Sequence, residues 1–273
     1  MLLEFVPFWY QVILVFAVGS IIGSFLNVVI YRLNTGRSLA GRSHCLSCGQ
    51  QLRWFELIPV VSYIGLRGRC ARCGSMISPR YVLVEVGTGL LFVASYLAVT
   101  SLAEYVIAAL VMCLLVVIVV YDINHFIIPN QLVAGLLVLA VMANGYQWYQ
   151  TGATSVALYN VLAAVSATAF FGFLWYVSRG KWLGFGDVKL VFPLAWLVGF
   201  GQVYSFVVLS FVIGAVISIG LLVVQRGQSS LRFFGQPLTM KSEVPFGPFL
   251  AAGFLAAYLW SVDVLALMSY VLG

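Results

Sequence analysis

The chain alternates between long apolar runs and short polar or basic connections. About eight runs read as membrane-crossing helices, roughly 8–30, 82–99, 105–122, 131–148, 157–177, 188–200, 203–224 and 248–270. A spanning helix needs about 20 mostly apolar residues to cross a hydrocarbon core of about 30 Å. The sixth run falls short: its 13 residues reach only about 20 Å at about 1.5 Å each. Pro193 predicts a kink within it. A backbone that starts below the membrane surface needs protein or a wet cavity around it. The pattern predicts an all-α polytopic membrane protein. Residues 1–30 form the first transmembrane helix, 31–81 a small loop domain, and 82–273 a transmembrane core.

Composition excludes a soluble globular domain. The chain is 63% apolar and 8% charged, with a mean hydropathy of +1.06, whereas soluble domains carry about 25% charged residues. The first run does not read as a cleavable signal: its N-terminal flank carries Glu4 and no Lys or Arg, and it is too long. The net charge is +6, and eight of the 14 Lys and Arg lie between residues 31 and 80. None lies between Arg80 and Arg179. That placement fits a membrane surface rather than nucleic acid. With the N-terminus outside and eight alternating spans, the inner segments are about 31–81, 123–130, 178–189 and 225–247. All 14 basic residues then fall on the inner side or at its edges. The expected topology is N-out and C-out, with the loop domain in the cytoplasm.

That loop holds Cys45-Leu-Ser-Cys48 and, after 21 residues, Cys70-Ala-Arg-Cys73. Two such knuckles suit four thiolates around one tetrahedral zinc. Gly49 and Gly74 follow directly, where tight turns need them. So small a segment buries little core, and a metal supplies folding free energy. The alternative, a pair of disulfides, is disfavoured by a reducing cytoplasm. Four thiolates leave no open position, so the expected role is structural. His44 can stand in for a ligand but is not needed. Cys113, inside the third run, reads as a small buried apolar residue.

Only eight acidic residues occur, and two sit at the inner ends of apolar runs. Asp122 closes the third run; Asp187 opens the sixth within Gly184-Phe-Gly-Asp-Val-Lys189. A carboxylate at membrane depth is costly, so it reads as functional by default. Two such acids can share a water and one proton, one serving as base and the other as acid. That pair activates water against a peptide carbonyl without a metal. Gly184 and Gly186 allow a close approach to Asp187. The bland alternative makes each Asp an interfacial cap or ion-pair partner, with Asp187 capping its helix and Lys189 nearby. By helix polarity Asp187, at a helix start, is favoured as the anion, and Asp122, at a helix end, as the acid.

Together these residues resemble the type IV prepilin peptidases, Gly-x-Gly-Asp aspartic proteases of membranes. The resemblance rests on ordered motifs along nearly the whole chain. They are Gly23-Ser-Phe-Leu-Asn-Val-Val-Ile-Tyr-Arg32, the two Cys knuckles, Glu56-Leu-Ile-Pro-Val-Val-Ser-Tyr63 and Arg80-Tyr-Val-Leu-Val-Glu85. Asp122 with Ile128-Pro129, Gly184–Lys189 and Pro245-Phe-Gly-Pro248 complete them. The resemblance implies cleavage of a basic leader from prepilins or type II secretion pseudopilins, at the cytoplasmic face of the bacterial inner membrane. It implies Asp122 and Asp187 as the catalytic pair. It also implies N-methylation of the new N-terminus with S-adenosylmethionine, a second activity typical of members with the four-Cys loop. No Gly-rich dinucleotide-type loop occurs, so no methyl-donor site is assigned. Asn130 departs from the Asp that many members carry after Ile-Pro, which removes a supporting carboxylate.

Other features carry weaker expectations. Gly19 and Gly23, like Ser20 and Ser24, are spaced for close helix packing. Asn27 reaches either the site or another helix. Pro245 and Gly247 make a rigid turn or contact substrate. Glu85 reads as structural, with Arg80 as a possible ion-pair partner. A peptidase without methylation is the alternative within the family. A proton-coupled transporter using the two acids as a relay is the alternative outside it, though no convincing inverted repeat supports it.

Overall fold

The computed structural model describes residues 6–35, 38, 41–227, 244–264, 266 and 269. Its helices are α1 (Phe8–Arg32), α2 (Val61–Gly65), α3 (Arg80–Ala98), α4 (Leu102–His125), α5 (Asn130–Thr151), α6 (Thr154–Ser178), α7 (Phe185–Val198), α8 (Val203–Gly227) and α9 (Gly247–Trp260). Among the described residues the only other regular pieces are a 3-10 turn at Trp54–Leu57 and two isolated bridges. The protein is an all-α, multi-pass membrane protein. Six helices, α1, α3, α4, α5, α6 and α8, are long and apolar enough to cross a bilayer. The other two expected spans are short. With 14 residues each, α7 and α9 reach about 21 Å at about 1.5 Å per residue.

The last span was expected over 248–270, and α9 ends instead at Trp260. Ser261 takes a left-handed conformation (φ 47°) and the Val262 N–H bonds the Ala256 carbonyl at 3.2 Å. The left-handed residue and the bond back over the last turns end the helix, where the sequence turns polar, at Ser261-Val-Asp263. Most of the expected inner connection 225–247 lies outside the described residues, as do parts of 265–273.

The chain divides into two compact units, Met1–Val120 and Tyr121–Gly273, and the division falls inside α4. In the first unit α1 and α3 pack antiparallel along a seam of small residues. A Cβ on Gly19 would lie 2.8 Å from the Phe92 Cβ, and one on Gly23 would lie 2.9 Å from the Glu85 Cα. Neither side chain fits, so these glycines set how closely the helices meet. Asn27 closes the seam, its Nδ2 donating to the Tyr81 carbonyl at 3.0 Å. Val15, Phe92 and Ala109 form a small core with Cys113 packed against it.

The loop joining these helices is built from two copies of one turn. Cys45 and Gln50 share a backbone bond of 2.9 Å, as do Cys70 and Ser75. The Gly49 N–H bonds the Cys45 carbonyl, and the Gly74 N–H bonds that of Cys70. Gly49 and Gly74 sit at φ of +70° and +69°, a region that side chains disfavour.

In the second unit α7 is central, packed against α5, α6, α8 and α9. Pro193 lies inside it and removes the N–H that would bond the Lys189 carbonyl. A polar clamp holds its far end. Asn144 Nδ2 donates to the Trp196 carbonyl (3.2 Å), and Asn160 Nδ2 donates to Asn144 Oδ1 (2.9 Å). Asn160 Oδ1 accepts the Phe200 N–H at 3.0 Å. Both asparagines are buried, so α5 and α6 satisfy backbone groups that α7 leaves open at its end.

Candidate active site and metal centre

Asp122 lies one turn before the end of α4, which stops where Phe126 turns left-handed (φ 56°) and donates its N–H to the Asp122 carbonyl at 2.8 Å. Asp187 is the third residue of α7. Its Oδ2 accepts the Gly184 N–H at 3.1 Å, satisfying one of the open donors at that helix start. The two carboxylates are 5% and 6% exposed and line one cavity of about 250 Å³, together with Ile128, Gly184, Gly186 and Lys189.

The start of α9 supplies a donor that the sequence did not reveal. The Gly247 N–H bonds Asp122 Oδ2 at 3.2 Å, across 125 residues of chain. A Cβ on Gly247 would stand 2.5 Å from that oxygen, so only glycine leaves room. Asp122 therefore meets the positive end of one helix as well as the negative end of its own. The polarity argument that separated it from Asp187 loses most of its force. Each acid has one oxygen tied to a backbone N–H. Neither Oδ1 has a hydrogen-bond partner among the described residues, so a shared water or a peptide carbonyl can bond there.

The remaining expected residues fall as follows. Gly186 meets Ile128: a Cβ there would lie 3.3 Å from the Ile128 Cβ, so the glycine lets the Ile128-Pro129 segment close on α7. The Lys189 ammonium donates to Asn130 Oδ1 at 2.5 Å and sits 5.4 Å from the Phe185 ring centre. Asn130 thus takes up the cation that an Asp would have paired with. Pro245 is buried just ahead of α9. Asn27 bonds α3, in the other unit. Glu85 accepts the Val60 N–H at 2.8 Å.

The thiols of Cys45, Cys48, Cys70 and Cys73 gather in the first unit, with all four sulfurs within 4.8 Å of one another. A tetrahedron with Zn–S bonds of about 2.3 Å sets sulfurs about 3.8 Å apart; Cys45 and Cys73 are 3.9 Å apart. All are free thiols, and the cluster can bind a metal ion. The Cys48 and Ser47 backbone N–H groups and the Ser75 hydroxyl pull the Cys45 thiol from 9.0 down to about 6. Ser75 likewise lowers Cys73. At Cys48 the Gln50 backbone donor lowers the pKa, but desolvation and the neighbouring sulfurs outweigh it and push it up to about 11. A cation among the sulfurs removes that mutual penalty. His44 stands outside the cluster.

Fold and site together define a helical membrane protein with two buried acids on one cavity and a separate four-thiol centre. The profile of the Bacterial Peptidase A24 N-terminal domain matches residues 17–99, and that of the Type IV leader peptidase family matches residues 109–219. The chain belongs to the type IV leader peptidase family. It is 31% identical to a prepilin leader peptidase/N-methyltransferase of Stutzerimonas stutzeri, over 91% of this chain and 90% of that one. It is 30% identical to the protein so named from Pseudomonas putida (97% and 96% covered). Its identity to the one from Myxococcus xanthus is 34% (81% and 65% covered). No solved structure matches the chain.

Proposed function

We propose that the protein is a leader peptidase of the bacterial inner membrane that cleaves prepilins or type II secretion pseudopilins and methylates the new N-terminus. The observation that carries this reading is the meeting of Asp122 and Asp187 on one cavity, each with one oxygen held by a backbone N–H. One carboxylate removes a proton from water, and the water oxygen bonds the scissile carbonyl carbon. The other, protonated, donates to the carbonyl oxygen, and the tetrahedral intermediate collapses as the leaving nitrogen takes a proton. Carboxylates sharing a site do not both ionise readily, which keeps one as the acid. Gly184, Gly186, Pro245 and Gly247 support this pair, and Lys189, bonded to Asn130, lines the same cavity.

Zinc in the four-Cys centre has a structural role, stapling the two knuckles of the loop. S-adenosylmethionine supplies the methyl group. The basic residues orient the chain N-terminus out, with the acids at the cytoplasmic face. Detergent-solubilised protein incubated with a prepilin and a labelled methyl donor tests the proposal. Leader release, lost in both Asp122→Asn and Asp187→Asn, is the expected result. Full cleavage by both variants rejects the catalytic pair. Cleavage without label in the product leaves a peptidase alone.

A further inference from the structure

The four-Cys lobe carries an apolar edge that no described residue covers. Val61 and Ile64, three residues apart on one side of α2, are 64% and 68% exposed. Their position is fixed from below. Val60 sits at φ 62°, a costly conformation for a β-branched residue, and its N–H is held by Glu85 of α3. Glu85 lies five residues into α3 from Arg80, about 7.5 Å along the helix at about 1.5 Å per residue. The start of α2 is therefore held against the first turns of a spanning helix, since a helical Glu side chain leans back toward the helix start.

Apart from Glu85 beneath Val60 and Glu56 in the preceding turn, the charges around this edge are positive. Arg67 and Arg69 directly follow α2 and are exposed. Glu56 is the one acidic residue between positions 31 and 80, against eight arginines. At the start of α3, the Arg80 Nε is buried and has no hydrogen-bond partner.

We propose that the lobe lies on the membrane. Val61 and Ile64 insert at the headgroup–acyl boundary of the leaflet where α1 ends and α3 begins, and Arg67, Arg69 and Arg80 bind anionic phospholipid headgroups. Apolar side chains rimmed by cations are the composition of an interfacial anchor, and basic residues beside a spanning helix favour anionic lipid. The strained Val60 turn, held by Glu85, sets the depth of the anchor. The inference rests on the membrane fold and is independent of the peptidase reading.

The full chain, carrying Ile64→Trp or Val61→Trp, is placed in nanodiscs, and the emission of the added tryptophan is taken by difference from the parent protein. Brominated acyl chains are expected to quench most of the added emission in anionic discs, and less of it in zwitterionic discs. Aqueous acrylamide is expected to quench little. Added emission that acrylamide quenches freely and bromine leaves untouched overturns the proposal. So does equal bromine quenching in both kinds of disc. Emission that is wet in the discs and becomes shielded on addition of a prepilin also overturns it, in favour of a protein-docking face. Two reporter positions guard against one variant failing to fold.

Discussion

The two units each gather titratable groups, and they do so in opposite ways. The thiol cluster is local and half exposed: two copies of one turn, close in sequence, brought together in a small loop. The acid pair is remote and buried, drawn from the end of α4 and the start of α7, with a third element, the start of α9, holding Asp122. A thiol cluster needs its metal to exist, because the loop buries little else. The acid pair needs only the helices, whose packing sets its geometry in advance. Under the proposed function a metal staples the first unit, whereas helix packing frames the second.

The largest effect should come from the framed site. Asp122→Asn or Asp187→Asn should lower prepilin cleavage by about 10²–10⁴-fold, measured as leader release, with unchanged helical circular dichroism. Loss in only one variant would break the symmetry between the acids. Gly247→Ala comes next. Its methyl would crowd Asp122 Oδ2, and displacing a reacting group by about 1 Å costs on the order of 10²-fold. The turnover number should fall more than the Michaelis constant rises.

Metal removal should act on the stapled unit alone. A chelator or Cys45→Ser should take bound zinc from one equivalent to none and expose the loop to protease, while the long helices stay folded. Acid should do the same. Protons compete with the metal for the four thiolates, so bound zinc should fall as pH falls, and zinc content that does not change on acidification would show that the thiolates do not hold it. The smallest effect should follow Asn160→Ala. Interhelical hydrogen bonds in membranes contribute about 1 kcal/mol, so thermal stability should drop modestly. Activity should drop with it only if the clamp at the far end of α7 sets the placement of Asp187; the glutamine variant should restore part of the loss.

Much of the plan was legible because its signals are local. The knuckle spacing and the glycines after each knuckle describe turns that need no distant partner. Asp122 and Asp187 stand out because a charge in an apolar run is rare. The Gly19 and Gly23 spacing announced a close helix pair, and Phe92 and Glu85 occupy the space they leave. What was not legible involves backbone atoms meeting over long separations. Nothing in Pro245-Phe-Gly-Pro248 announces that the Gly247 N–H bonds Asp122, because every residue type but proline carries that donor. Asn144 and Asn160 were visible as polar residues in apolar helices, a signal that could have been followed to α7. The early stop of α9 was written in Ser261-Val-Asp263 and masked by the apolar residues beyond it.

A further consequence follows from the length of α7. Its 14 residues span about 21 Å, about 9 Å less than the hydrocarbon layer of about 30 Å. Because α5, α6, α8 and α9 pack around it, the shortfall is met inside the protein, where water descends to the helix end. Hydrolysis in oil requires that descent, since the nucleophile must come from the aqueous side. The truncated helix is thus a well as much as a support, and lengthening it by one turn should dry the site without touching either acid.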